Sequence, residues 1–223
     1  MFCIIPARGN SKRIPKKNIC ELNGKPLLSY TIEAAKKFEL FGDNIHVSSE
    51  NDEILEVASK CGASPYWRDP KLSDDKTRYF DVVKDFLIAH DVKDEPFCVL
   101  LPTSPLRNEQ DISSAYNIFY QNLDSIDGIM SVSELNHLPF HSLTIQDKRI
   151  KPLDARGQTI RRQDVRTYYK HDGSLIIAKT KRFLECSDWW ELNLIPYHTP
   201  KSRSVDVDTP EDLERAEWLL SKL

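Results

Sequence analysis

Apolar residues fall along this chain in short blocks that alternate between strand-like and helix-like spacing. Residues 2–7 form an apolar run of strand length, stopped by the turn signal Gly9-Asn10. Residues 26–38 place Leu27, Leu28, Ile32, Ala35 and Phe38 at helical spacing behind Pro26, which suits a first helical turn. The pattern repeats as a strand over 44–49, a helix over 51–60 stopped by Gly62, and a helix over 78–90. A strand over 97–101, broken sharply by Pro102-Thr-Ser-Pro-Leu-Arg107, a helix over 111–120 and a strand over 128–132 follow. Strands alternating with helices at these lengths predict an α/β domain built on a doubly wound, mostly parallel sheet.

The rhythm changes after Glu134. From 135 to about 170 the chain is polar, proline-bearing and too long for a bare loop, which predicts an insertion arm that covers a site or makes a dimer. Strand pattern returns over 173–178 and 192–196, and residues 204–208 alternate as a last strand. Thr209, Pro210 and Asp212 then open a final helix as N-cap, N1 and N3, with Leu213, Ala216, Trp218, Leu219 and Leu220 as its expected buried face.

Bulk properties narrow the function classes. The 223 residues fit one domain, and the formal charge of −3 argues against a general nucleic-acid binder. The N-terminal apolar run is too short for a signal peptide, and no stretch approaches the roughly twenty apolar residues of a spanning helix. Five scattered cysteines without a C-x-x-C pair predict reduced thiols in a cytoplasmic protein.

The loop after the first predicted strand carries five cations, Arg8, Lys12, Arg13, Lys16 and Lys17, with Asn10, Ser11 and Asn18 among them. In open α/β sheets ligands sit beyond the carboxyl ends of the strands, so this loop is placed to meet a polyanion such as a nucleoside triphosphate. The competing reading is a solvated basic loop. Asp206 and Asp208 are two apart, so on a strand both carboxylates share a face, and Mg²⁺ typically takes one or two carboxylates plus phosphate oxygens. Alternatively Asp208 only caps the last helix while Asp206 faces water. Arg161-Arg162-Gln163-Asp164, followed by Tyr168-Tyr169, offers guanidinium groups to a carboxylate or phosphate; a surface ion pair is the other reading, and the residues alone favour it. There is no G-x-G-x-x-G after the first strand, no Walker A loop and no G-x-S-x-G around Ser104. Pro139 between His137 and His141 argues against a helical zinc pair. The cationic loop lacks the aromatic interleaving of a nucleic-acid site.

Four colinear stretches resemble a known family: Ile-Ile-Pro-Ala-Arg-Gly-Asn-Ser-Lys at 4–12 with Lys17-Asn18, Pro102-Thr-Ser-Pro-Leu-Arg107, Arg161-Arg-Gln-Asp164 and Asp206-Val-Asp-Thr-Pro-Glu-Asp212. They look like the CMP-sialic acid synthetases, the acylneuraminate cytidylyltransferases, which are relatives of the CMP-Kdo synthetases. The resemblance implies a single GT-A-like nucleotidyltransferase domain over 1–223, a homodimer whose arm, about 135–170, reaches its neighbour, and a Mg²⁺-dependent reaction. In that reaction CTP and a nine-carbon 2-keto sugar acid give the CMP-sugar and pyrophosphate. It further implies that Ala7, Arg8, Asn10, Ser11, Lys17 and Asn18 hold the nucleotide, Arg8 and Lys17 chiefly at the phosphates. Arg68 matches the arginine before the cytosine loop, whose serine falls near Tyr79, with Thr77 as its substitute. Asp206 and Asp208 match the metal pair. On the sugar-acid side the resemblance places Thr103, Ser104, Arg162 and Gln163, with Leu101 where the family commonly has a glutamine and His141 near an expected lysine. Another sugar acid such as Kdo, a sugar phosphate, or a catalytically silent relative are the alternatives.

Overall fold

The computed structural model describes residues 1–135, 137–155, 159 and 161–222; the Arg162 side chain falls outside that description. In chain order the strands are β1 (Phe2–Pro6), β2 (Glu21–Leu22), β3 (Lys25–Pro26), β4 (Ile45–Ser49), β5 (Ser64–Trp67), β6 (Pro96–Val99), β7 (Gly128–Glu134), β8 (Leu143–Gln146), β9 (Arg149–Pro152), β10 (Tyr169–Lys179) and β11 (Leu194–His198). The helices are α1 (Leu27–Lys36), α2 (Asp52–Lys60), α3 (Tyr79–Ala89), α4 (Glu109–Gln121), α5 (Thr180–Glu185) and α6 (Pro210–Leu220). Seven strands form one sheet in the order β11-β7-β10-β6-β1-β4-β5.

β1 lies inside this sheet, parallel to β4 and β6, and β5 continues the parallel run. β10 runs antiparallel to both β6 and β7, while β11 is parallel to β7. The sheet is therefore mixed and mostly parallel, as expected apart from the reversed β10, whose direction no periodicity reveals. Side chains alternate across a strand, so each strand feeds two cores. Cys3, Ile5 and Cys98 pack with Leu28, Ile32, Ile54 and Phe119 of α1, α2 and α4. Ile4, Phe97 and Val99 pack on the other face with Phe80, Phe86 and Phe183 of α3 and α5. All five cysteines are free.

Residues 204–208 join no sheet, contrary to expectation. Their alternation is nevertheless real: Val205 and Val207 are buried with Ile14, Leu22, Leu106 and Ala216 in a third apolar cluster. One backbone bond, from the Val207 N–H to the Thr103 carbonyl at 2.8 Å, replaces a ladder. α6 starts with the predicted capping box of Thr209 and Asp212. Its face is narrower than predicted, since Ala216 is buried while Trp218 is 61% exposed. Two residues on a helix turn about 200° apart, which carries Trp218 away from the core. Of the adjacent residues Trp189 and Trp190, the first is core and the second exposed. Within the predicted arm, β8 and β9 form a hairpin through Asp147 and Lys148, both at positive φ, the conformation a two-residue turn requires.

An aromatic cluster around His46 of β4 carries a titration. His46 lies 5.0 Å from the Phe86 ring and 5.2 Å from His90. Burial, and secondarily His90, push His46 from its ordinary 6.5 down to about 4. The unfolded chain therefore takes up this proton first as pH falls. Stability from this site is full above pH 6.5 and is lost on the way down to about 4, by about 2 kcal/mol after screening. Urea unfolding across that interval is expected to show the loss, and His46→Leu to flatten it.

Candidate active site

A cleft of about 540 Å³ opens beyond the carboxyl ends of β1 and β6, the crevice where open α/β sheets bind ligands. The loop leaving β1 forms one wall. It is fastened at both ends: the Ala7 N–H bonds the Ser48 carbonyl at 2.9 Å, and Asn18 Nδ2 bonds the Arg8 carbonyl at 2.8 Å. Arg8, Ser11, Lys12, Arg13 and Lys17 are thereby presented to the cleft. Ile14 of the same loop is buried against Val205 and Val207. Each such burial is worth about 1.5–3 kcal/mol. That packing leaves Asp206 and Asp208 on the cleft side, so apolar contacts bring distant charges together.

Lys17 Nζ, only 16% exposed, donates to Asp208 Oδ1 at 2.8 Å and to the Val207 carbonyl at 3.0 Å. Arg13 Nη1 reaches Asp208 Oδ2 at 3.1 Å. Across the cleft Asp75 takes Arg8 at 3.3 Å and Lys12 at 2.5 Å. Carboxylates thus stand where the oxygens of a polyphosphate would be neutralised. The Lys17 bond holds the Asp208 carboxyl below its usual range. Asp206 goes the other way: burial raises it, the Thr103 hydroxyl partly offsets that, and Asp208 adds repulsion. Neighbouring carboxylates with opposed shifts mark a site that a cation would relieve.

Of the residues singled out in the sequence, Arg8, Ser11, Lys17, Asn18, Asp206 and Asp208 line the cleft. Arg68, Thr77, Leu101 and Thr103 line it too. Arg68 is buried, with two of its nitrogens bonded to Glu50 and Ser73. Thr77 is bonded to Asp74. The remaining residues lie off the cleft wall. Ala7 is buried at the end of β1 and Asn10 is exposed on the loop. Ser104 is buried beneath the wall, its hydroxyl 3.5 Å from the Asp172 carbonyl. His141 and Gln163 are exposed on the arm, and the Arg162 side chain lies outside the described residues. Sequence reasoning missed Asp75 and Glu50, and named Tyr79, which lines the cleft, only as the place near which the family's serine falls. The Asp74-Asp75 pair between Arg68 and Thr77 was a usable signal, because acidic residues facing a cationic loop need a reason.

Among the described residues no group of three or more His, Cys, Asp or Glu side chains could hold a metal ion. The pair Asp206 and Asp208 supplies oxygen donors alone, a set that fits Mg²⁺ completed by phosphate and water and does not fit zinc. Among the same residues no helix is long and apolar enough to cross a membrane.

The chain belongs to the cytidylyltransferase family, which it matches over residues 2–217, and it is a nucleotidyltransferase. It is 34% identical over 223 residues to a pseudaminic acid cytidylyltransferase of Campylobacter jejuni, covering 98% of this chain and 95% of the relative. It is also 34% identical over 214 residues to an N-acylneuraminate cytidylyltransferase of Streptococcus agalactiae. That alignment covers 95% of this chain and 51% of the relative, so the chain spans about half of that protein's length. The fold is similar to that of a CMP:2-keto-3-deoxy-manno-octonic acid synthetase complexed with CTP. The TM-score is 0.74, with 14% identity and coverage of 99% of this chain and 98% of that one.

Proposed function

We propose that this protein transfers CMP from CTP to a nonulosonic 2-keto sugar acid, releasing pyrophosphate, with Mg²⁺ held by Asp206 and Asp208. The observation that carries the reading is the meeting of Lys17 and Asp208 in one cleft, 2.8 Å apart, from opposite ends of the chain. The anomeric 2-hydroxyl of the sugar acid attacks the α-phosphorus in line and gives up its proton to solvent, and the bond to the pyrophosphate leaving group breaks. Such transfers need positioning and charge stabilisation more than covalent help. Arg8, Lys12, Arg13 and Lys17 take up the charge that gathers on the pyrophosphate; binding it releases them from Asp75 and Asp208. Thr103 holds Asp206, and the buried Val207 fixes the spacing of the two carboxylates. Bound Mg²⁺ supplies Lewis-acid polarisation of phosphate oxygens.

The apolar residues Leu143, Ile145 and Ile150 are exposed on the β8–β9 hairpin, which supports a homodimer joined through the arm. His141, Arg162 and Gln163 then act at the sugar-acid end from that arm. The reduced cysteines support a cytoplasmic setting. Pyrophosphate release with each nucleoside triphosphate and Mg²⁺, across Kdo, neuraminic, legionaminic and pseudaminic acids, tests the reading. Release is expected with CTP and one or more nonulosonic acids; release with none of the acids, or with Kdo alone, contradicts it.

A further inference from the structure

Glu50 sits immediately beyond β4, beside the loop that leaves β1, and touches both walls of the cleft without lining it. Its Oε1 accepts the Gly9 N–H at 2.7 Å. Its Oε2 accepts Arg68 Nη2 at 2.9 Å and the Ser73 hydroxyl at 2.8 Å. Arg68 Nε in turn donates to Ser73 Oγ at 2.9 Å, which closes a ring of contacts. Gly9 belongs to the cationic loop, whereas Arg68 and Ser73 line the facing wall. The network is largely dry: the side chains of Arg68 and Glu50 are 3% and 13% exposed.

Two further features show that the arrangement is built. A Cβ at Gly9 would lie 2.8 Å from Asn51 Cβ, so only glycine lets the loop backbone come within reach of Glu50. Burial works against the Glu50 charge, yet its own N–H and that of Gly9, with Ser73 and Arg68, outweigh it and hold the carboxyl below its ordinary range. An exposed ion pair would add little, but removing one partner from a buried, hydrogen-bonded pair is costly.

We propose that Glu50 is a positioning residue that clamps the cationic loop to the Arg68–Ser73 wall at one separation, so that both ends of one nucleotide are held together. The inference rests on the CTP reading above. A ligand that spans both walls gains from their fixed spacing, and one that touches a single wall does not. Replacing the carboxylate by an amide leaves one acceptor oxygen where two are needed and turns an NH₂ group towards donors.

The test is calorimetric titration of the full chain with CTP and, separately, with pyrophosphate, alongside steady-state kinetics. For Glu50→Gln the CTP Kd and KM are expected to rise on the order of tenfold, while kcat and the pyrophosphate Kd stay within about threefold. Gly9→Ala attacks the other end of the clamp, leaves the Arg68, Glu50 and Ser73 contacts in place, and is expected to give the same split. It decides the matter if Glu50→Gln fails to fold. Wild-type CTP affinity in either folded variant, equal losses for CTP and pyrophosphate, or failure of both variants to fold overturns the clamp. A wild-type protein that ignores CTP would remove the reading beneath it, an outcome distinct from wild-type binding that the variants preserve.

Discussion

Asp208→Ala is expected to lower the rate of pyrophosphate release by about a hundredfold or more while leaving the protein folded. Asp208 is half-exposed; of its two partners Arg13 is exposed and Lys17 is largely buried. The exposed Arg13 pair contributes about 0.2–1 kcal/mol, and the loss of the Lys17 pair is limited because Asp208 itself is half-exposed, so the protein stays folded with a modest shift of the unfolding midpoint. The like-charge repulsion on Asp206 also disappears. Lys17 keeps its bond to the Val207 carbonyl and stays in place. Activity falls because Asp206 alone no longer makes a two-carboxylate anchor. Turnover close to wild type in a folded Asp208→Ala protein would refute the assignment.

Arg203→Ala is expected to do the reverse and act first on stability, by about 3 kcal/mol. Asp111 is fully buried near the start of α4 and accepts Arg203 Nε at 2.9 Å and Nη2 at 2.7 Å. Without Arg203 it keeps, among the described residues, the Tyr197 hydroxyl at 2.7 Å and the Asn108 N–H at 3.1 Å. That leaves a buried carboxylate without its counter-charge. The denaturant midpoint, at unchanged slope, measures the loss. Arg203 also anchors the segment that leads into Val205–Asp208, so CTP affinity is expected to fall in the fraction that remains folded. A midpoint within the range of ordinary surface substitutions would contradict this account.

The contrast between these two positions shows what was legible in the sequence. Local signals were read correctly because local physics decides them. Gly62 follows α2 at φ +85 as the predicted stop, and Thr209 with Asp212 caps α6; Asn51, read as the first residue of α2, is instead its N-cap and accepts the Ile54 N–H. The cations of the first loop and the acidic pair near the end were also visible, since charge at such density needs partners. Long-range complements were not visible. The Asp74-Asp75 pair was visible as charge but not as the partner of Arg8, and Glu50 facing Gly9 and Arg68, like Arg203 facing Asp111, depends on how the elements stack, which no residue spacing encodes. The segment 204–208 shows the limit well. Its two-residue period was right and its strand assignment wrong, because an apolar cluster beside a loop imposes the same alternation as a sheet. β5, a four-residue edge strand containing Pro65, gave too short a pattern to read.

The central claim is that the N-terminal cations and the C-terminal carboxylates act on a single metal-bound triphosphate. Calorimetric titration of CTP with and without Mg²⁺, on the wild type and on the double variant Asp206→Asn and Asp208→Asn, tests it most directly. The account predicts that Mg²⁺ tightens CTP binding about tenfold or more in the wild type and not in the variant. Equal tightening in both proteins, or no CTP binding by the wild type, would contradict it.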